Sequence, residues 1–297
     1  MDITVVEAPH STAFTTLARV KREMGIPQSN TSNDERLTDL IEEVSSAIVT
    51  FCNQPLIRQT VIERQVGYGR TVQAMSVTPV PRGGLTAVHF REDEVSGCFV
   101  SDPPAGFVYN PNRYADTRPM DQWITRTPTN LPGLPDYIFD YTGGYLLPGD
   151  DVVLSDCEAD SATASFKLVG SDQTFPILVS GERFRVTGFN NAANNGWFTA
   201  LQRTPTSIIV DRVLVSETAS GVVNFECRNL PRDLESAAVF EIKARYLSQY
   251  RDPSIKSESL GDWSASYGNT LGTGSAGETG GLNEVTAAQL GRYVRLD

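Results

Sequence analysis

Hydrophobic residues recur at helical spacing in the first fifth of the chain. Ala13, Leu17, Val20 and Met24 predict a helix over 12–25 that ends at Gly25 and Pro27. A second apolar stripe consists of Leu37, Leu40, Ile41, Val44, Ile48 and Phe51. Ser32 precedes it with Glu35 three residues later, which is the spacing of a capping box. The pattern therefore predicts two helices that form a helical hairpin.

Residues 230–251 predict a longer helix of a different type, with Pro231 in its first turn. Its polar stripe consists of Glu241, Arg245, Ser248 and Asp252, and apolar residues occupy more than half of the circumference. Such a helix is buried on two sides. We expect one side to pack on the helix at 34–52 and the other to meet a neighbouring subunit.

Between these helices the pattern changes to short β-prone runs separated by Pro and Gly. Strands are predicted at 59–66, 86–90, 122–125 and 137–141. Residues 151–227 differ again, because they are polar, carry no helical stripe and have an Asn-rich turn at 190–196. Their six strand candidates, at 165–169, 175–179, 184–187, 197–202, 207–211 and 221–225, have the spacing of a small β-sandwich or barrel. Trp123 and Trp197 lie in strand candidates and are interpreted as core residues.

The chain ends with a Ser- and Gly-rich stretch followed by a short helical pattern. Gly272, Gly274 and Gly277 have the GxGxxG spacing, but their coil-like flanks indicate a linker and not a dinucleotide site. A capped helix is predicted at 283–290, before the terminal Tyr293 to Asp297. The sequence predicts an arm that docks onto a partner.

Composition and charge argue against some classes of function. The 297 residues contain 36 acidic and 25 basic side chains, a net charge of −11 with a pI near 4.8. Tight binding to a phosphate backbone needs clustered Lys and Arg, so this balance argues against it. Cys52, Cys98, Cys157 and Cys227 lack CxxC spacing and are expected to be separate thiols. Without a long apolar run or a signal-peptide pattern, synthesis in a cytoplasm is expected.

The sequence shows no pattern typical of a catalytic site. His10 and His89 have no carboxylate or thiol at a motif spacing, so structural roles are expected, and the chain is predicted not to be an enzyme. Asp150, Asp151, Asp156, Glu158 and Asp160 could bind a cation or form a solvated acidic junction, which is the favoured interpretation. No cofactor is predicted. A hydrolase with paired carboxylates is the enzyme alternative.

Several segments, in order, resemble the head–tail connector (adaptor or head-completion) proteins of tailed bacteriophages. They are Asp34–Leu37, Leu40–Ile48, Cys52–Leu56, the Tyr141-Thr-Gly-Gly-Tyr145 turn, Leu230–Leu234 with Ala237 and Ala238, and Ser257–Tyr267. The resemblance covers residues 1–149 and 228–297, and the segment between has no counterpart in it. It implies an α+β fold with a small helical-bundle adaptor domain, β-strand extensions and an inserted all-β domain. The predicted domains are 1–150 with 228–263, the insertion 151–227, and a flexible arm at 264–297 with a short terminal helix.

The resemblance also implies a location and partners. Connectors of this kind form rings of about twelve copies with cyclic heterologous contacts, below the portal at the head–tail junction of the virion. The expected partners are the portal protein, neighbouring copies, the next neck or tail-terminator protein, and DNA that passes through the lumen without specific binding. No membrane is involved. The alternative is a β-rich carbohydrate-recognition or decoration module of a phage tail.

Eight residues are predicted to contact partners or neighbouring copies. They lie on the long helix (Phe240, Tyr246, Leu247), in the coil after it (Trp263, Tyr267) and at the end of the chain (Tyr293, Arg295, Leu296).

Overall fold

The computed structural model describes residues 2–66, 72–77, 79–81, 84–91, 99–102, 107–110, 123–126, 136–170, 173–219, 221–248, 257–260, 263–266 and 281–294. The chain divides into two compact units. The helical unit comprises residues 12–54 and 230–297, and the β unit comprises residues 1–11 and 55–229. Each unit is therefore assembled from two separate parts of the chain.

Four helices form the described part of the helical unit: α1 (Leu17–Glu23), α2 (Asp34–Cys52), α3 (Arg232–Ser248) and α4 (Glu284–Leu290). A two-stranded hairpin, β17 (Ser257–Leu260) with β18 (Trp263–Ser266), follows α3. The α2 stripe is buried as predicted, and Leu37, Val44 and Ile48 are inaccessible to solvent. Helix α3 packs against α1, α2 and α4. The packing of α3 on α2 confirms the intrachain half of the prediction.

The helix starts show which cap predictions hold. The predicted capping box at Ser32 is wrong, because Ser32 donates to Asn30 and the N-cap residue of α2, Asn33, makes no side-chain cap bond. Helix α1 begins only at Leu17, where the Thr16 hydroxyl accepts a hydrogen bond from the Arg19 N–H. The predicted terminal helix is confirmed, and Asn283 caps it by accepting from the Thr286 N–H at 2.9 Å.

The β unit begins with a five-stranded antiparallel sheet of order β1-β2-β8-β4-β5. Its strands are β1 (Asp2–Glu7), β2 (Gln59–Val66), β4 (Leu85–Arg91), β5 (Phe99–Asp102) and β8 (Asp136–Gly143). A three-stranded sheet contains β3 (Val72–Ala74), β7 (Trp123–Arg126) and β6 (Phe107–Asn110) in that order. The four strands predicted between 59 and 141 are therefore present.

The Gly-Gly-Tyr turn that follows β8 is fixed by close backbone packing. The Gly144 N–H donates to Pro79 O at 2.8 Å, and the Tyr145 N–H donates to Leu56 O at 2.7 Å. Gly144 has φ +87°, and a Cβ there would overlap the backbone of Ile57. Only glycine combines this left-handed conformation with the close approach.

An eight-stranded sheet of order β15-β10-β11-β14-β13-β12-β16-β9 follows. Its strands all lie between 152 and 226: β9 (Val152–Leu154), β10 (Cys157–Asp160), β11 (Ser165–Leu168), β12 (Arg183–Thr187), β13 (Gly196–Thr204), β14 (Ser207–Val210), β15 (Glu217–Thr218) and β16 (Val223–Glu226). The strand expected at 175–179 is absent, since Pro176 has no N–H for a ladder and the Leu178 N–H turns back to Pro176 O. Phe175 is nevertheless buried.

Phenylalanine rings form the core of this sheet. Phe166 lies 5.1–6.4 Å, centroid to centroid, from the rings of Phe184, Phe189, Phe198 and Phe225. Two of these contacts, with Phe198 and Phe225, are perpendicular edge-to-face pairs, the favourable geometry for aromatic rings.

Within the β unit, charged side chains join the first sheet to the eight-stranded sheet. Arg58, which is 1% exposed, donates to Glu182 at 2.6 Å, and Arg203 forms an ion pair with Glu7 at 2.6 Å. Asn229 accepts from the Leu146 N–H at 2.7 Å. These contacts attach the β9–β16 segment firmly to the first sheet. The structure confirms a mixed α+β fold with substantial β content, while the adaptor-plus-insertion layout and its domain limits stay predictions.

Candidate functional site

One continuous stripe of α3 is exposed to solvent. It consists of Arg232, Ser236, Phe240, Lys243 and Leu247, which follow one another at intervals of three or four residues. Phe240 is 45% exposed and Leu247 is 54% exposed. We call these five residues the α3 stripe. Two large apolar side chains on the exposed face of a helix offer an anchor for a partner.

The other faces of α3 are covered within the helical unit. Leu234, Ala237, Ala238 and Ile242 are fully buried, and the two alanines allow neighbouring elements to come close. Arg19 on α1 lies 3.2 Å from Glu235, and Arg245 donates to Glu43 on α2 at 2.5 Å. Among the described residues of α3, the α3 stripe is the face that remains free for a contact outside the helical unit.

A continuous polar stripe on a helix usually faces solvent, but on α3 the stripe is not exposed at Glu241. Glu241 is only 2% exposed. Its carboxylate accepts hydrogen bonds from the Asn283 N–H at 3.2 Å and the Thr286 hydroxyl at 3.0 Å. Arg245 donates to Glu241 at 2.9 Å and to Gly281 O at 2.9 Å. Glu241 and Arg245 of the polar stripe therefore belong to the surface that the start of α4 covers.

A second polar cluster holds the end of α4. Asp233, in the first turn of α3, accepts hydrogen bonds from Arg292 and from the Tyr293 hydroxyl. The backbone carbonyl of Tyr293 accepts from Gln54 at 2.7 Å. Burial and the hydrogen bond to Asp233 raise the pKa of Tyr293 well above its usual value.

This burial changes the expected role of Tyr293, which is only 2% exposed within the chain itself. We had expected it to be covered only by a partner. Its side chain instead joins α4 to α3, so its exposure should not change on assembly. Tyr246 is also buried. Residues 281–294 of the predicted arm pack on the helical unit.

The remaining predicted contact residues have different positions. Phe240 and Leu247 lie on the α3 stripe and are exposed, whereas Tyr246 and Tyr293 are buried. Trp263 begins β18. Tyr267, Arg295 and Leu296 lie outside the described residues. Their roles as partner contacts stay predictions.

The acidic residues at the start of the eight-stranded sheet have structural partners. Asp150 is buried and accepts from the Leu147 N–H at 2.5 Å. Asp151 accepts from the Cys227 N–H at 2.8 Å, and Glu158 accepts from Thr218. Asp160 accepts from Lys167 and the Ala162 N–H, which lower its pKa to about 2. Among the described residues, no three His, Cys, Asp or Glu side chains are grouped so that they could hold a metal ion.

Burial raises the pKa of the Asp150 carboxyl to about 6, against the opposing hydrogen bond from Leu147. His10 and Arg58 provide weaker opposing charge effects. Asp150 and Asp151 therefore belong to a partly buried junction and not to the solvated cluster that the sequence suggested.

The cysteines and histidines that the structure describes have no arrangement typical of catalysis. Cys52, Cys157 and Cys227 are free and buried, as expected for separate thiols. Burial raises the pKa of Cys52 and Cys157 to about 12, which keeps them protonated. His10 lies 3.3 Å from the Thr174 hydroxyl. No helix in the described part of the chain has the length and apolar character needed to span a membrane.

The sequence analysis misplaced one aromatic residue. Trp197 was interpreted as a core residue, but it is 53% exposed. The alternation along β13 places Phe198 and Ala200 in the core and Trp197 on the opposite side of the sheet. Alternate residues of a strand face opposite sides of the sheet, and the preceding turn does not reveal which set faces the core. The sequence alone therefore could not assign the side of Trp197.

Comparisons with known proteins give a structural similarity but no match to a family model or to a curated protein. Among solved structures, a chain from the neck of an empty gene transfer agent particle, computed with C6 symmetry, is similar with a TM-score of 0.37 and 17% identity. The match covers 50% of this chain and 77% of that chain.

Proposed function

We propose that this protein is a structural neck protein of a phage-like particle, a head–tail connector whose copies form a ring below the portal. The carrying observation is the α3 stripe, where Phe240 and Leu247 stay exposed after α1, α2 and α4 have covered the rest of the helix. The ordered motifs that resemble connector proteins give this surface its proposed role. In the ring, each α3 stripe contacts the next copy by a heterologous contact.

Charge complementarity gives the neighbour's surface. The α3 stripe carries Arg232 and Lys243, whereas the exposed residues of α2 include Glu35, Asp39 and Glu42. A basic stripe with apolar anchors on one copy and an acidic helix face on the next would steer the contact and exclude like-charged arrangements. We propose that the α2 face of one copy meets the α3 stripe of the next.

The test replaces Phe240 by Asp and measures the mass of the assembly by native mass spectrometry. Wild-type protein should form a ring, and Phe240→Asp should be monomeric with an unchanged melting temperature. Val285→Asp is the matched control, since Val285 is an equally exposed apolar residue on α4 of the same unit. A ring that survives Phe240→Asp, or is lost equally in Val285→Asp, would contradict the assignment of the contact.

The proposed ring passes DNA without binding it. About twelve copies, each with a net charge of −11, would carry a charge on the order of −130. Like charge across a water-filled channel reduces adhesion of the duplex. The test is a titration with duplex DNA at low salt, in which we expect no sub-micromolar complex. Salt-sensitive binding of that strength would require clustered basic contacts and would overturn this part of the proposal.

The proposed partners are the portal above the ring and the next neck or tail protein below it. We also propose that the protein has no catalytic activity, which is supported by the structural partners of Asp150, Asp151 and His10. Turnover of a polysaccharide or peptidoglycan substrate by the purified protein would refute this.

The second candidate is a β-rich recognition module of a phage tail, and the exposed Trp197 favours it. The two functions differ in oligomeric state and in ligand response. A recognition module predicts a monomer or trimer whose melting temperature rises with polysaccharide. A connector predicts a ring and no such rise.

A further inference from the structure

The solvent side of strands β12 and β13 carries an unusual set of residues. Phe184 and Val186 point into the core, which leaves Arg183 and Arg185 on the outer side. Arg185 lies directly opposite Trp197 in the ladder. The Arg183 guanidinium carbon lies 5.4 Å from the centre of the Trp197 ring. The cation–π contact holds the exposed indole in a fixed orientation.

A third arginine approaches from the loop after β14. Arg212 Nη1 donates to the carbonyl oxygen of Trp197 at 2.9 Å. We call Arg183, Arg185, Trp197 and Arg212 the Trp197 patch. All four residues are exposed.

Two carboxylates lie close to the patch, and both have partners. Glu226 lies 3.5 Å from Arg185, and Asp211 accepts from the Thr199 N–H at 2.9 Å. Within the part of the chain that the structure describes, neither Arg183 nor Arg212 forms an ion pair. The patch therefore offers two exposed guanidinium groups, in a chain whose net charge is −11. Arg183 lies over the exposed indole, and Arg212 lies against the Trp197 backbone, with its guanidinium carbon 4.8 Å from the centre of the Phe198 ring.

We propose that the Trp197 patch is a docking site for an acidic segment of a partner protein. Carboxylates of that segment pair with Arg183 and Arg212, whose planar guanidinium groups suit carboxylates. An apolar side chain of the same segment contacts the indole ring. Trp and Arg are the residues that contribute most to binding at protein interfaces.

Charge complementarity favours this occupant over others. Duplex DNA binding relies on many clustered basic contacts, and this patch has only three guanidinium groups. A neutral sugar ring has no charge that could pair with the guanidinium groups of Arg183 and Arg212. An acidic protein segment uses both features of the patch. The site does not depend on ring formation through α3, so the two proposals can fail separately.

The experiment titrates the full-length protein with a short peptide of alternating glutamate and leucine, followed by tryptophan fluorescence. Trp197→Phe identifies the part of the fluorescence change that comes from Trp197, because Trp123 and Trp263 remain in that variant. We expect saturable binding in the millimolar range or tighter, weakened about fivefold or more by Arg183→Gln with Arg212→Gln, since exposed charge pairs each contribute modestly. Arg22→Gln, an exposed arginine of α1, should leave the affinity unchanged.

The control ligands are the matched glutamine–leucine peptide, a duplex DNA and a neutral polysaccharide. Only the glutamate peptide should bind at the patch. The proposal is overturned if no glutamate peptide binds, if the glutamine peptide binds equally well, or if the arginine variants bind as tightly as wild type. It is also overturned if DNA or polysaccharide binds through these residues instead, or if the arginine variants alter only the self-association of the chain.

Discussion

The two units of this protein are stabilised in different ways. The eight-stranded sheet of the β unit encloses a cluster of phenylalanines around Phe166, and its polar residues lie mainly outside that core. The helical unit combines an aliphatic core with buried polar contacts, in which Glu241 and Asp233 of α3 hold the two ends of α4. The eight-stranded sheet is held mainly by apolar burial, whereas in the helical unit specific hydrogen bonds add to the apolar core and position α4.

This difference bears on function. A polar contact inside the helical unit fixes where α4 lies on α3. It thereby determines that Phe240 and Leu247 are the large apolar residues of α3 that stay exposed. In the β unit the core is complete without Trp197, so an exposed tryptophan there serves no packing role in the sheet. Both units keep large apolar residues in water, and in both cases we attribute this to a partner.

The largest expected effect is on the phenylalanine cluster. Phe166→Ala removes a fully buried ring that contacts four others, and we expect a loss of about 4 kcal/mol in the free energy of unfolding. Chemical denaturation followed by near-ultraviolet circular dichroism measures it. Trp197→Ala is the control and should lose much less. Equal losses would mean that Trp197 belongs to the core after all.

The turn after β8 should be almost as sensitive. Gly144→Ala places a methyl group against the backbone of Ile57 at φ +87°, and we expect a loss of about 3 kcal/mol. Gly181→Ala is the matched control. Gly181 also has positive φ, at +91°, but a Cβ there meets open space, so about 1–2 kcal/mol should be lost. Similar losses at both sites would show that the close backbone packing contributes nothing.

The polar contacts of the helical unit can be broken at Glu241. Glu241→Leu leaves the Thr286 hydroxyl and the Asn283 N–H without their acceptor, and we expect a loss of about 3 kcal/mol. The amides of α4 should also exchange hydrogen faster. Phe240→Ser, one residue earlier and on the α3 stripe, should change neither the free energy of unfolding nor the hydrogen exchange of α4. Normal protection of α4 in Glu241→Leu would contradict the role of this carboxylate.

Asp150 gives the β unit a pH dependence. Its pKa is raised to about 6 from 3.8 in the unfolded chain. A raised carboxyl pKa means that the folded protein favours the protonated form of Asp150. The contribution of this group to the free energy of unfolding is therefore fully present below pH 3.8 and is lost as pH rises through about 6. The loss is at most about 3 kcal/mol. Thermal unfolding of Asp150→Asn between pH 4 and pH 7 should show a flatter profile than wild type, and an unchanged profile would contradict this.

Local periodicity was sufficient to predict some elements. The α2 stripe, the strands at 59–66 and 137–141, and the capped helix before Leu290 all follow from neighbouring residues, because each side chain's environment is set by its own element. The failures at Glu241 and Trp197 concern contacts between residues that are distant in sequence. Glu241 had the pattern of a solvated stripe because nothing local to α3 indicates that α4, more than 40 residues later, would cover it. Trp197 was misplaced because strand parity is decided by cross-strand register.

The same limit applies to the candidate site. Phe240, Tyr246 and Leu247 were predicted from the excess of apolar residues on α3, and Tyr293 was predicted from the terminal arm. Tyr246 and Tyr293 are instead buried within the chain. Composition shows that more apolar surface is present than one partner helix can cover. Which side chains remain exposed depends on the packing of α4, a tertiary contact.

The central claim is that the α3 stripe joins copies of this chain into a ring that docks on a portal. Electron microscopy of the full-length protein, alone and mixed with the portal protein of the same particle, tests it most directly. We predict closed rings that stack coaxially on the portal, with Phe240 and Leu247 buried between adjacent copies. The rings and their stacking on the portal should both be lost in Phe240→Asp. Single copies that ignore the portal, or rings in which Phe240 remains in solvent, would contradict it.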